Sequence, residues 1–338
     1  MESLAAIAAL PPAVPQNSVE QAVERQFGLA GDYVPLVSER DQNFRLDLAD
    51  GRRFVVKVTS LQELPETSDF QLGALLHLEG ADVEVPFIVR TLDAAAAGFI
   101  DAGAGRHRLR VVTWVDGEPL LASGIDAAQA SRLGESLGRL DNALRGYSHP
   151  GENPVLLWDL QRAGELRSLL HCIDEAGVRQ DVLRVIDDFE TNVLTDSLPH
   201  QVIHGDANPE NVLVTAGGIG FIDFGDMVRA PRVFDLAIAA AYLRCAGEDP
   251  LAYIRPLVAA YHATAPLEDG EPRLLFDLVR ARLATTITLL YWRLRDRPPG
   301  DDYRRKSLAV EKTATHFLAA LERLGRAAFD QQIRNLLE

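Results

Sequence analysis

Cysteine and lysine are scarce in this sequence. Of 338 residues, two are cysteines, Cys172 and Cys245, and the lysines are Lys57, Lys306 and Lys312. Two distant cysteines without a C-x-x-C spacing argue against a disulfide framework or a cysteine-built zinc site, and make a reducing compartment the expected one. No run of Lys and Arg is long enough to make a basic patch either. With 34 Lys and Arg against 49 Asp and Glu, the net charge is −15, which repels the phosphate backbone of nucleic acids. No apolar stretch approaches the roughly 20 residues that span a bilayer. The apolar opening, Met1–Leu10, lacks the basic leader of a signal peptide and is stopped by Pro11 and Pro12. Internal repeats and low-complexity tracts are absent too. A soluble, cytoplasmic protein that binds neither nucleic acid nor membrane is expected.

What is present is ordinary globular material, 47% hydrophobic and 25% charged, long enough for two lobes that each bury a core. Residues 1–17 read as a loose tail. Ser18 and Gln21 form a capping box for a helix that Gly28 closes. Short extended runs follow at Tyr33–Val37, Phe44–Leu48 and Arg53–Val58, the last two joined by the turn signal Asp50-Gly51. A helix over 68–78 and strands over 86–89 and 109–115 complete a mostly β lobe, 18–116. Beyond it the periodicity becomes helical. Asp126 caps a run to Leu144, and further helices are expected near 159–171, 178–195, 232–245, 250–262, 272–294 and 302–337. The larger lobe, 117–338, is thus helical apart from one strand-rich island, Gln201–Phe224.

That island carries the chemistry. Apolar strand ends deliver two polar clusters joined by a hairpin: His204-Gly205-Asp206 with Asn211, in the form H-x-D-x-x-x-x-N, and Asp223-Phe224-Gly225. The pairing matches the phosphoryl-transfer template, in which the loop Asp takes the acceptor hydroxyl proton while the Asn and the second Asp hold a divalent cation against nucleotide phosphates. Mg²⁺ prefers hard oxygen ligands, and one carboxylate plus one amide leaves room for phosphate and water. A turn-rich loop whose Asp and Asn merely satisfy backbone groups is the plainer alternative, but both signatures in the right order and flanked by strands favour catalysis. Lys57 stands among Val55, Val56 and Val58 on the third strand. It fits the lysine position that reaches the α- and β-phosphates, against the alternative of an edge-strand lysine facing water.

With Asp41-Gln42-Asn43-Phe44, Lys57, Trp158-Asp159-Leu160, the runs His204–Val214 and Ile222–Asp226, and the helix start Val233–Ala237, the sequence resembles the aminoglycoside phosphotransferase-like kinases. These are the small-molecule branch of the protein-kinase-like fold, and among them it is most similar to hydroxylysine kinases. The resemblance spans about residues 25 to 245. It implies an α+β bilobal fold with a small β-rich N-lobe and a larger helical C-lobe, and a kinase using ATP or GTP with Mg²⁺. On that resemblance Asp206 is the base, Asn211 and Asp223 are the metal ligands, and Lys57 is the phosphate lysine. Thr113 to Val115 form the hinge along the purine, Asp235 buttresses the catalytic loop, and His204 supports it.

Two departures follow from the same comparison. The phosphate-covering loop, Ser38–Asn43, has no glycine, so side chains such as Gln42 and Asn43 are expected to serve the phosphates. The acid partnering Lys57 falls by spacing on Asp69, with Glu63 and Glu66 too early. Gly205 stands where protein kinases carry the Arg of H-R-D, and no room exists for an activation loop before Pro231, so the acceptor is expected to be a small molecule. Asp159 and Asp226, with Trp158 as a cation–π face, suggest an amine-bearing alcohol. Asp226 has a second reading as structural support, and Trp158 and Trp292 read equally well as core aromatics. Arg162, Arg229 and Arg232 are candidates for gripping a substrate carboxylate. Homoserine-type and aminoglycoside-type kinases remain alternatives, as does a catalytically silent nucleotide-binding module.

Overall fold

Proline and glycine set the ends of the first helix, α1 (Gln16–Phe27). Pro15 presents its carbonyl to the amides of Ser18 and Val19, and Gly28 closes the other end with a left-handed φ of 68°. The expected Ser18 cap is corrected: the helix starts three residues earlier, because Pro15 enters with the right φ and no side chain is needed. The computed structural model describes residues 11–38, 40–103, 105–193, 198–245, 247, 249–295 and 302–338, except the side chains of 302–307. The first ten residues of the expected tail lie outside them. Its described end is not loose, since Val14 is buried and both its backbone groups bond the Gln42 side chain at 2.9 Å.

Five antiparallel strands follow: β1 (Asp32–Leu36), β2 (Gln42–Asp47), β3 (Arg53–Val58), then helix α2 (Pro65–His77), then β4 (Gly98–Ala102) and β5 (Gly105–Thr113). Their order in the sheet is β1-β2-β3-β5-β4. Alternation puts Phe54, Val56 and Val58 into a core with Phe44, Leu46, Leu109 and Val111, and leaves Val55 and Lys57 on the opposite face. The strand expected over 86–89 is reduced to one bridge, Ile88 to Val112, and β4 was not foreseen. Pro86 removes a ladder donor from the first segment. α2 starts with Pro65 at its first position and packs Phe70, Leu75 and Leu78 into the core of the larger lobe, where Phe70 stacks on Tyr147 at 5.8 Å.

The second lobe opens with β6 (Glu118–Pro119), α3 (Leu120–Ser123) and α4 (Ala127–Leu144), the last capped by the Asp126 carboxylate, which accepts from the Gln129 amide at 2.8 Å. Residues Leu160–Cys172 form 3₁₀ turns rather than an α-helix, and α5 spans Ala176–Asn192. Strands β7 (His200–Ile203), β8 (Val212–Val214), β9 (Ile219–Phe221) and β10 (Val228–Pro231) make two small sheets, β10-β7 and β6-β8-β9. Helices α6 (Val233–Tyr242), α7 (Ile254–Thr264), α8 (Glu271–Leu294), α9 (Asp302–Leu324) and α10 (Arg326–Leu337) complete the chain. One continuous helix over 302–337 was expected; Gly325, with φ 76°, divides it.

Helix α8 is buried along almost its whole length, and each leucine or isoleucine taken fully from water there contributes about 1.5–3 kcal/mol. Where α4 meets α7, Gly134 lets the backbones touch: a Cβ at that position would lie 2.1 Å from the Leu257 carbonyl oxygen. Among the described residues no helix is long and apolar enough to cross a membrane.

Candidate active site

Strand β7 ends at Ile203, and the loop 204–211 that follows is built on its own backbone. Gly205 has φ 77°, and a Cβ there would come within 2.4 Å of the Asp226 carbonyl oxygen. The residue where protein kinases place an arginine is therefore glycine for a steric reason: the two polar turns of the island lie directly against each other. Asp235, fully buried in the first turn of α6, accepts the backbone N–H groups of His204 and Gly205, both at 2.9 Å. The His204 Nδ1 accepts the Asp206 amide at 3.3 Å, so its Nε2 carries the proton and donates to the Ile222 carbonyl at 3.1 Å. Its ring stands edge-on to Phe224 at 4.8 Å. His204 and Asp235 thus lock the first turn onto the second.

Asp206, Asn211 and Asp223 meet on this platform. Asn211 donates its Nδ2 to the Asp206 carboxylate Oδ2 at 2.8 Å, and its carbonyl accepts the Ile222 amide at 2.9 Å, one residue before Asp223. With the amide nitrogen turned to Asp206, Oδ1 is the Asn211 side-chain atom that would be offered to a cation. Asp223 holds a left-handed backbone, φ 60° and ψ 75°, costly for a non-glycine residue and found most often at functional positions. Its half-exposed carboxylate lies 3.5 Å from Lys57 Nζ. Lys57, helped by Arg40 and His204, holds that carboxyl below its usual range against the opposing effect of burial. Asp206 moves the other way, to about 6: burial pushes it up, with Asp226 and Asp223 adding to that, while Arg282 and His204 oppose.

Among the described residues no three His, Cys, Asp or Glu side chains converge on one point. A divalent ion held by Asn211 and Asp223 would therefore complete its shell with oxygens from outside the chain, as phosphates supply. The oxygen donors, the depressed Asp223 carboxyl and its exposure suit such an ion.

The residues expected to serve the nucleotide depart from expectation in two places. Asp69 does not meet Lys57; it pairs with Arg108 at 2.6 Å, and the acid nearest Lys57 is Asp223. Gln42 is not turned to the cleft, because both ends of its amide hold Val14. Asn43 lies opposite Lys57 in the β2–β3 register, with its Oδ1 buried and lacking a hydrogen-bond partner. Behind Lys57, at the paired position on β5, sits buried Arg110, which binds Asp41 at 2.9 Å and Gln71 at 2.7 Å, with Glu63 at 3.8 Å. Burial raises the Glu63 carboxyl, and Arg110 is the largest influence opposing this. In the glycine-free loop it is Arg40 that reaches the platform, paired with Asp226. At the hinge, Thr113 exchanges hydrogen bonds with Phe87: its amide donates to the Phe87 carbonyl and its Oγ1 accepts the Phe87 amide, both at 2.9 Å. The Val115 side chain closes over Gly220.

Among the residues expected to face the acceptor, Asp159 caps the 3₁₀ segment, accepting the Gln161 amide at 3.0 Å, and burial raises its carboxyl. Trp158 faces the chain's own cations, with the guanidinium carbons of Arg282 and Arg293 at 4.9 and 5.3 Å from its ring. This replaces the expected amine-binding face. The three arginines considered for a carboxylate are also engaged: Arg232 with Glu271 at 2.9 Å, Arg162 with Glu165 at 2.8 Å, and Arg229 with Glu152 at 3.7 Å. Trp292 packs against the main core. Arg282, which sequence reading missed, donates to Asp206 Oδ1 at 2.6 Å. The signal for it was a pair of arginines, Arg280 and Arg282, inside the otherwise uncharged stretch Val279–Leu290 of a long helix.

A five-stranded antiparallel lobe, a helical lobe and this junction define a protein-kinase-like fold. Solved structures agree: an aminopropanol kinase associated with a microcompartment superposes with a TM-score of 0.71 at 18% identity, covering 92% of this chain and 97% of that one. An amicoumacin kinase in complex with AMP-PNP and Ca²⁺ gives 0.70 at 15%, covering 91% and 93%. The model of the phosphotransferase enzyme family APH matches residues 32–276, and the chain belongs to that family. It is 26% identical to the hydroxylysine kinase of Mus musculus, over 95% of this chain and 92% of that one. It is 25% identical to the homoserine kinase of Zymomonas mobilis, over 82% and 86%. The protein is a small-molecule kinase that phosphorylates a hydroxyl group.

Proposed function

We propose that this kinase transfers the γ-phosphoryl group of ATP or GTP to the hydroxyl of a small amine-bearing molecule of the hydroxylysine type. The observation that carries the reading is the meeting of Asp206, Asn211 and Asp223 beside Lys57. The amine-bearing acceptor is supported by the hydroxylysine kinase relatives, which the chain matches over nearly its whole length. Homoserine is the second acceptor to test, because homoserine kinases match over a somewhat shorter span.

In this reading Asp206 accepts the proton of the acceptor hydroxyl as that oxygen bonds to the γ-phosphorus. The bond from phosphorus to the bridging oxygen breaks, and its electron pair leaves with the nucleoside diphosphate. Asn211 Oδ1 and the Asp223 carboxylate would hold Mg²⁺, which when bound neutralises charge on the phosphate oxygens. Lys57 serves the α- and β-phosphates, and Asn43 and the hinge Thr113–Val115 border the nucleotide. His204 and Asp235 keep the loop in place, so catalysis comes from positioning and charge neutralisation.

The test is a coupled assay against hydroxylysine, homoserine, amino alcohols and aminoglycosides with both nucleotides. Hydroxylysine with the highest kcat/KM is the expected result. No turnover of any hydroxyl compound, with nucleotide binding intact, returns the silent-module alternative.

A further inference from the structure

The Asp206 carboxylate has about four lone-pair positions, and three are occupied. Oδ2 receives the side-chain amides of Asn208 and Asn211, each at 2.8 Å, and Oδ1 receives Arg282 Nη2 at 2.6 Å. The remaining position is on Oδ1. We propose that Arg282 is a positioning residue for phosphoryl transfer: it fixes the rotation of the Asp206 carboxylate so that the acceptor hydroxyl is received on Oδ1. The inference rests on the reading of Asp206 as the proton acceptor.

Arg282 is seated for this task. Its side chain is 1% exposed, Nη1 donates to the Trp158 carbonyl at 3.0 Å, and Nη2 also reaches the Tyr242 hydroxyl at 3.2 Å. Its guanidinium carbon lies 4.9 Å from the Trp158 ring and 5.5 Å from the Tyr242 ring. Two carbonyl or hydroxyl anchors and two aromatic faces leave the planar fork one orientation. The other titratable groups around Asp206 are His204, Asp223 and Asp226. Lys57 is engaged with Asp223 and Arg40 with Asp226, so among the described residues Arg282 is the Lys or Arg ion-paired with this carboxylate. Arg282 Nε is buried without an acceptor. A position serving stability alone would be filled as well by an apolar side chain. During transfer the hydroxyl proton passes to Asp206, and Arg282 keeps all of its own.

Arg282→Ala and Arg282→Lys, compared with wild type and Asp206→Asn, test this in steady-state assays with the acceptor from the panel. Arg282→Ala is expected to lose about 10²-fold in kcat with the nucleotide KM within about twofold, and Arg282→Lys to fall between. Millimolar guanidinium is expected to restore part of the Arg282→Ala rate and none of the Asp206→Asn rate. A folded Arg282 variant within about threefold of wild-type kcat, or a loss confined to nucleotide KM, overturns the inference. Should neither variant fold, Tyr242→Phe decides: a lower kcat at unchanged nucleotide KM supports it, and an unchanged kcat overturns it. Normal turnover in Asp206→Asn refutes instead the reading on which the inference rests.

Discussion

The two sides of the cleft hold their charges by different means. On the sheet side, Arg108 and Arg110 project from β5, and their acids come from loops and α2: Asp41, Glu63 and Asp69. Lys57, on the neighbouring β3, reaches instead to Asp223. On the helical side, Asp206 depends on Arg282, 76 residues further along the chain. One side is a ladder whose register fixes who meets whom, while the other requires the whole helical lobe to be assembled first. The charges on the ladder can therefore be altered one residue at a time, but the Asp206 environment stands or falls with the packing of α8.

This contrast can be broken from its strongest element downward. Asp206→Asn is expected to reduce kcat about 10³-fold while leaving nucleotide affinity within about twofold, measured by turnover and by titration calorimetry. Near-normal turnover would remove Asp206 from its role. Arg110→Met should cost about 3 kcal/mol in chemical denaturation, since it strands the Asp41 and Glu63 carboxyls in a buried place. A loss below about 1 kcal/mol means that water satisfies those acids as well as the guanidinium does.

Lys57→Ala is expected to lower kcat/KM for nucleotide by about 10- to 10²-fold, seen in nucleotide titrations at saturating acceptor; unchanged kinetics would place Lys57 outside the site. The smallest effect belongs to Asp69→Ala. Its exposed pair with Arg108 makes a stability change under about 1 kcal/mol the expected outcome, with the nucleotide KM unmoved. A large rise in that KM would return Asp69 to the partnership with Lys57 that spacing first suggested.

Spacing misled at Asp69 because counting along a helix does not say how the helix is rotated against the sheet. α2 turns Phe70 and Leu75 toward the larger core, and that rotation hands Asp69 to Arg108. Gln42 was misread for a similar reason: its amide found the Val14 backbone, a contact 28 residues away that no local pattern announces. The glycine-free loop did signal reliance on side chains, but the one that reaches the platform is Arg40. Trp158 was read as a face for a ligand cation, and the fold covers it with arginines from α8.

The local arrangement was legible in the order of residues alone. His204, Asp206, Asn211 and Asp223 lie within twenty residues on a hairpin, and short loops between apolar strands leave polar side chains few places to go. The left-handed turn at Gly205 follows from the same closeness. What tertiary structure alone decided is which distant charges complete the site. Arg282 and Arg110 are brought there by the packing of a buried helix and the register of a sheet, and both arise from contacts made across the full length of the fold.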